Sequence, residues 1–164
     1  MNMMSLSARC TTVLRASFLA AFVIAGAPTA AAQEIHTMKL ASPYSFADTL
    51  ARLRTTLAGK GMTIFGTIDH QAGARDAGLS MRPATVVVYG NPKGGTPLMQ
   101  AAPDFALELP LKVLVREDEQ GKTWLVYEPV ASLEGRHGLP AGMTERLAPA
   151  EKLLAAAVQP APAP

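Results

Sequence analysis

Residues Met62 to Asp69 alternate in character, and Ala84 to Tyr89 (ATVVVY) are apolar at nearly every position, so the middle of this chain has to be sheet. Alternation at period 2 describes a strand with one buried face. It places Met62, Ile64, Gly66, Ile68 and His70 on one side and Thr63, Phe65, Thr67 and Asp69 on the other. The β-branched run that follows is apolar on both sides, which predicts a position in the interior of the sheet. Whatever else the chain does, it must cover those strands.

The flanking segments supply the cover. Residues 36–41 (HTMKLA) form a short strand ending at Ser42-Pro43, and Ser45 opens a helix as its N-cap, with Asp48 three residues on in a near capping-box pattern. Phe46, Leu50, Leu53 and Leu57 make one apolar stripe, Arg52, Arg54 and Thr56 face away, and Gly59 and Gly61 stop the helix. A polar stretch containing Arg75, Asp76 and Gly78 connects the two central strands. The run Gly90-Asn91-Pro92-Lys93-Gly94-Gly95 is turn chemistry, after which Thr96 is expected to cap a short helix with Pro97 in first position, reaching Ala102. Leu109 to Arg116 and Thr123 to Glu128 read as an antiparallel hairpin around an acidic loop. Ser132 to His137 is a turn, and Pro149 to Val158 a helix carrying Leu153, Leu154 and Val158. The expected class is α+β: one mainly antiparallel sheet of four to five strands, with helices packed on one face, in the order strand, helix, four strands, helix.

Residues 1–32 stand apart and read as a signal peptide. Arg9 and Arg15 form a basic n-region, Ala16 to Ala27 an apolar run of about a dozen residues, and Ala30-Ala31-Ala32 a small-residue site with cleavage expected after Ala32. An uncleaved anchor is the alternative, but a bilayer span needs about 20 apolar residues and this run ends in Gly26 and Pro28. Cys10, the single cysteine, follows Ser7-Ala8-Arg9 instead of the apolar residues of a lipoprotein signal. The expected product is therefore periplasmic or secreted, cysteine-free and without a stable membrane span, with one domain over 33–158 and a disordered Pro/Ala tail over 159–164. Of 15 basic residues, Arg9 and Arg15 leave with the leader and no acid does, so 13 bases face 13 acids. That even balance lacks the basic field nucleic-acid binding requires.

Several stretches in order carry a resemblance: Asp69-His70 closing a strand, Arg82-Pro83 before the apolar strand, Gly90-Asn91-Pro92-Lys93 followed by Gly95-Thr96 and Leu98-Met99, Leu109-Pro110, and Trp124 to Pro129 (WLVYEP). Together, over His36 to Leu139, they resemble domain-of-unknown-function family 302. The resemblance implies a small α/β domain of the TATA-box-binding-protein-like type. It implies no activity, so function must be argued from side chains.

Four constellations matter. Adjacent strand residues point to opposite faces, so Asp69 cannot orient the His70 ring as a triad carboxylate would. His70 continues the apolar face, which favours a hydrogen-bonded core or rim histidine over a ligand or proton-handling one, although imidazole is the side chain that titrates near neutrality. Asp69 also suits a cap on the loop that follows. The Asn91–Lys93 turn has the look of an anion loop before a helix, but Pro92 and Pro97 remove two donors and no Gly-Lys-Thr end is present. Metal binding by His36, His70, His137 and methionines finds no His-x-x-His or Met-x-x-Met spacing outside the leader. Nucleophilic catalysis finds none of Ser42, Ser45, Ser80 or Ser132 in a Gly-x-Ser-x-Gly elbow. If the two central strands are antiparallel neighbours, Asp69, His70 and Arg82 share one end and Asn91 and Lys93 lie at the other. The first three are thus the candidate site, and Asn91 and Lys93 a secondary anion contact. The expectation is a non-enzymatic module without metal or cofactor, binding a small molecule or a protein, with homodimerisation open. An acid–base or hydrolytic enzyme using Asp69, His70 and Arg82 is the alternative.

Overall fold

The computed structural model describes residues 37–160, so the leader, its cleavage after Ala32 and the end of the Pro/Ala tail lie outside the described residues. Five strands, β1 (Met38–Ala41), β2 (Thr63–Asp69), β3 (Ala84–Gly90), β4 (Leu111–Glu117) and β5 (Thr123–Tyr127), form one sheet in the order β1-β5-β4-β3-β2. Every neighbouring pair is antiparallel. Four α-helices accompany them: α1 (Phe46–Gly59), α2 (His70–Asp76), α3 (Pro92–Ala101) and α4 (Ala148–Val158), with short 3-10 turns between β5 and α4. The α+β class and the strand-helix-four strands-helix order hold, with α2 and α3 set into two of the connections.

Helix α1 begins where its cap dictates. The Ser45 hydroxyl accepts from the Asp48 amide at 3.1 Å and donates to the Asp48 carboxylate at 2.7 Å. Its Leu53 and Leu57 are fully buried, against Leu154 of α4 and the strand residues Val87, Val113, Val115 and Leu125. Burying each such side chain stabilises by about 1.5–3 kcal/mol. Phe105, in a 3-10 turn (Pro103–Leu107) ahead of β4, joins that core with no exposed surface. Arg52 turns toward the C-terminal end of α4, its Nε donating to the Ala157 carbonyl at 3.2 Å and its Nη2 to the Gln159 carbonyl at 3.2 Å.

Only one face of the sheet is covered. Thr85, Val87 and Tyr89 are buried while Val86 and Val88 between them are half-exposed, and the same alternation runs through β4 and β5. The apolar character of β3 on both sides thus marks an interior strand whose second face stays partly open.

Three local expectations are corrected. The register of β2 on β3 shifts between Ile64 and Gly66, so Phe65 is a bulge residue. Cross-strand partners share a face, which puts Ile64, opposite Tyr89, over the core and Ile68, opposite Val86, on the open side. The single buried face Met62-Ile64-Gly66-Ile68-His70 therefore breaks at the bulge, and Phe65 and Ile68 are 53% and 51% exposed. Second, the polar connection after Asp69 is helix α2. Third, α3 starts at Pro92, with Asn91 as N-cap and Pro92 at its first position, one turn before the expected Thr96. Asn91 outcompetes Thr96 as cap because a proline fits N1 in either frame, and the earlier frame also uses the Asn91 side chain.

Candidate functional site

The larger cavity, about 440 Å³, opens beside the end of β3, where Gly90 meets the start of α3. Its size falls within the range of about 300–1,000 Å³ common for small-molecule sites. Four pieces of chain build it: Met62 and the bulge residue Phe65; the first turns of α3 through Met99; Leu109 to Leu111 entering β4; and Arg146 to Ala150 at the start of α4. The walls are apolar. One glycine lets them approach: a Cβ on Gly95 would stand 3.1 Å from Leu109 Cδ1, closer than side chains normally pack, whereas one on Gly94 would meet the Arg146 carbonyl at an ordinary 3.6 Å. Glycine costs a helix about 1 kcal/mol relative to alanine, and here it admits close packing along the cavity wall.

The polar lining is sparse. Arg146 is the charged residue of the cavity, and no ion pair joins it to another described residue. Asn91 Oδ1 accepts from the Lys93 amide at 2.9 Å, and the Asn91 carbonyl accepts from the Gly94 and Gly95 amides, both at 2.9 Å. The first donors of α3 are therefore already engaged within the helix, and Lys93 is exposed and outside the cavity lining. Asn91 keeps its amide nitrogen, whose two hydrogens meet no partner among the described residues, and Thr96 contributes a hydroxyl.

A second cavity of about 290 Å³ lies across β3, β4 and β5, with Tyr89, Tyr127, Glu108, Lys112 and Glu128 in its lining. At its edge Arg136 bridges Glu108, at 3.2 Å, and Glu128, while His137 Nε2 meets Glu108 Oε1 at 2.8 Å. His137 adopts left-handed backbone, φ 53°. The Ser132 hydroxyl donates toward Glu128 and the Pro129 carbonyl, so it is not aimed at an imidazole base. Burial, followed by the Glu151 carboxylate, pushes the Tyr89 and Tyr127 phenols above their usual range, which keeps both protonated as core tyrosines.

The sequence-derived candidates are placed as follows. Asp69 is the N-cap of α2, its Oδ1 accepting from the Ala72 amide at 2.9 Å. His70 is the exposed first residue of that helix, and its side chain makes no hydrogen bond or ion pair with other described residues. Arg82 Nη2 donates to the Glu119 carbonyl at 3.0 Å, tying the approach to β3 to the β4–β5 turn, and does not pair with Asp69. Asp69 lies opposite Thr85, so these residues do gather at one end of the sheet, with Asn91 and Lys93 at the other. None of Asp69, His70 and Arg82 lines either cavity, whereas Asn91 lines the larger one. Sequence reasoning did not reach Arg146 or the Glu108–Arg136–His137 network. Neither arrangement has a spacing signal, because each joins residues brought together by the connections after β3 and β5. Among the described residues no group of three or more His, Cys, Asp or Glu is placed to hold a metal ion, and no helix is long and apolar enough to cross a membrane.

Comparison with known proteins gives three findings. A crystal structure of an uncharacterized conserved DUF302 protein from Bacillus stearothermophilus superposes with a TM-score of 0.64 at 21% identity, covering 74% of this chain and 94% of that one; it shares the fold. Two curated relatives, both named fluoride-specific ion channel FluC 1, come from Brucella suis biovar 1 and Brucella abortus biovar 1. Each is 41% identical over 98 residues, which is 60% of this chain and 39% and 36% of theirs. The chain thus spans under two fifths of the length of those relatives. The family model described as domain of unknown function DUF302 matches residues 38–159, from the first strand to the end of α4. With its core strands, helices and connections all inside that match, this chain belongs to the DUF302 family.

Proposed function

We propose that this protein is an exported binding module whose larger cavity takes a small, mainly apolar molecule. The observation that carries the reading is the cavity itself: about 440 Å³, apolar walls on four segments, and three side chains able to donate hydrogen bonds. Export is supported by the leader pattern of residues 1–32. A binding role is favoured over acid–base catalysis because Asp69 and Arg82 are engaged as a helix cap and a loop tether, and neither they nor His70 lines a cavity in which a substrate could meet them. The test is a thermal-shift screen of the purified protein against a broad set of small apolar compounds. A compound at 100 times its Kd stabilises by about 2.7 kcal/mol. Hits are expected, and Thr96→Trp, at an exposed lining position of α3, is expected to abolish them. A screen without hits, or hits that survive in Thr96→Trp, would overturn the reading.

A second reading is favoured by the Brucella relatives, named as fluoride channels, part of whose length this domain matches: the domain works beside such a channel. Deleting the gene should then raise the sensitivity of its host to fluoride, and unchanged growth across fluoride concentrations would overturn that role.

A further inference from the structure

The donors and acceptors of the larger cavity are unequally represented. Arg146 brings a guanidinium with five N–H groups and no acceptor. Asn91 has committed its oxygen to the Lys93 amide and offers its NH₂ group. Thr96 adds a hydroxyl. No acidic side chain lines the cavity. Arg146 is exposed and its guanidinium is solvated, so a neutral apolar ligand gains nothing from it, and a cationic one would meet repulsion. A ligand with an apolar body and one negative charge satisfies both parts of the lining. A single guanidinium matches a carboxylate in charge and in its two-pronged geometry.

We infer that the ligand class of this cavity is a carboxylate carried on a short hydrocarbon chain, with its tail among Met62, Phe65 and Met99 and its head on Arg146 and the Asn91 NH₂ group. This assignment rests on the binding-module reading above. Asn91 acts on both sides of it: the same side chain that starts α3 through its oxygen keeps its nitrogen as a donor without a partner among the described residues. Position is thus set by the helix cap and charge by Arg146, which the turn Met143–Leu147 delivers just ahead of α4.

The probes are octanoate, octanol, octylamine and octyl phosphate, all below their aggregation limits, titrated calorimetrically into the purified protein at low and high salt. Octanoate should bind about five- to tenfold tighter than octanol at low ionic strength, and the ratio should shrink as salt is raised. Arg146→Gln should bring octanoate down to the octanol level while leaving octanol unchanged, and Arg146→Lys should restore part of the difference. Arg146 is exposed, so both variants are expected to fold. Octylamine or octanol binding as tightly as octanoate, or octyl phosphate binding tighter, would refute the carboxylate assignment while leaving a binding cavity in place. If none of the four binds, the cavity reading fails with it.

Discussion

Val86 and Val87 are neighbours in β3 with the same side chain and the same strand backbone, but the structure gives them different surroundings. Val87 has no exposed surface and faces the core, while Val86 sits half-exposed on the open side of the sheet. Truncation to alanine removes two carbons in each case. At about 0.8 kcal/mol per buried CH₂ the transfer loss at Val87 is about 1.6 kcal/mol. The rigid walls made by Leu53, Leu57, Val113 and Leu125 add a cavity contribution, for a total of about 2–3 kcal/mol. At Val86 solvent already touches the side chain and fills the space it leaves, so the loss is about 1 kcal/mol or less. The change in strand propensity is common to both and cancels in the comparison. Urea unfolding read by the fluorescence of Trp124, the single tryptophan, measures the difference. With a slope of about 1–3 kcal/mol per molar urea, Val87→Ala should lower the midpoint by roughly 0.7–3 M and Val86→Ala by half as much or less. Equal shifts would mean that the second face of the sheet is covered in solution, and would refute the one-sided packing.

Three further outcomes follow from particular contacts. Asp118 is held below the usual carboxylate range, first by the Trp124 indole N–H at 2.7 Å and then by the Lys122 and Gln120 amides; its folded-state pKa is depressed, so its contribution is present above the ordinary carboxylate range and lost as pH falls through the lowered value. Asp118→Asn should accordingly flatten the acid limb of a stability-versus-pH curve, and an unchanged limb would remove Asp118 from that role. Asp69→Ala should destabilise by about 1 kcal/mol through loss of the α2 cap, while His70→Ala should leave both the melting temperature and the octanoate response unchanged; a lost response in His70→Ala would return the site to that end of the sheet. Mass spectrometry of exported protein should find its N-terminus at Gln33 or within a residue or two, and retention of Arg9 would refute the leader reading.

Much of the architecture could be read from residue order because it depends on periodicity. The Ser45 cap, the Leu53–Leu57 stripe, the apolar β3 and the hairpin around Gly121 each carry a local pattern that the tertiary structure respects. The face of β2 could not be read, since a bulge at Phe65 leaves alternation in the sequence intact while rotating everything after it by one position. The start of α3 was ambiguous for a different reason: Asn91-Pro92 and Thr96-Pro97 offer the same cap-and-proline signal, and the structure uses the first, with the Asn91 side chain accepting from the Lys93 amide. The cavity was not legible at all. Its walls come from four separated segments, and Arg146 has nothing in its neighbourhood in sequence to distinguish it from a surface cation. Asn91 and Lys93 read as an anion contact through backbone amides, but those amides are engaged within α3, and the side-chain atom of Asn91 left without a partner among the described residues is its nitrogen.

Methionine methyl groups test the cavity most directly. Met62 and Met99 line it, whereas Met38 and Met81 lie elsewhere with exposed side chains. In a protein labelled with ¹³C at the methionine methyls, titration with octanoate should move the Met62 and Met99 resonances together along one saturable curve and leave Met38 and Met81 in place. Shifts at Met38 or Met81 of equal size, or no shift at Met62 and Met99, would contradict ligand binding in this cavity.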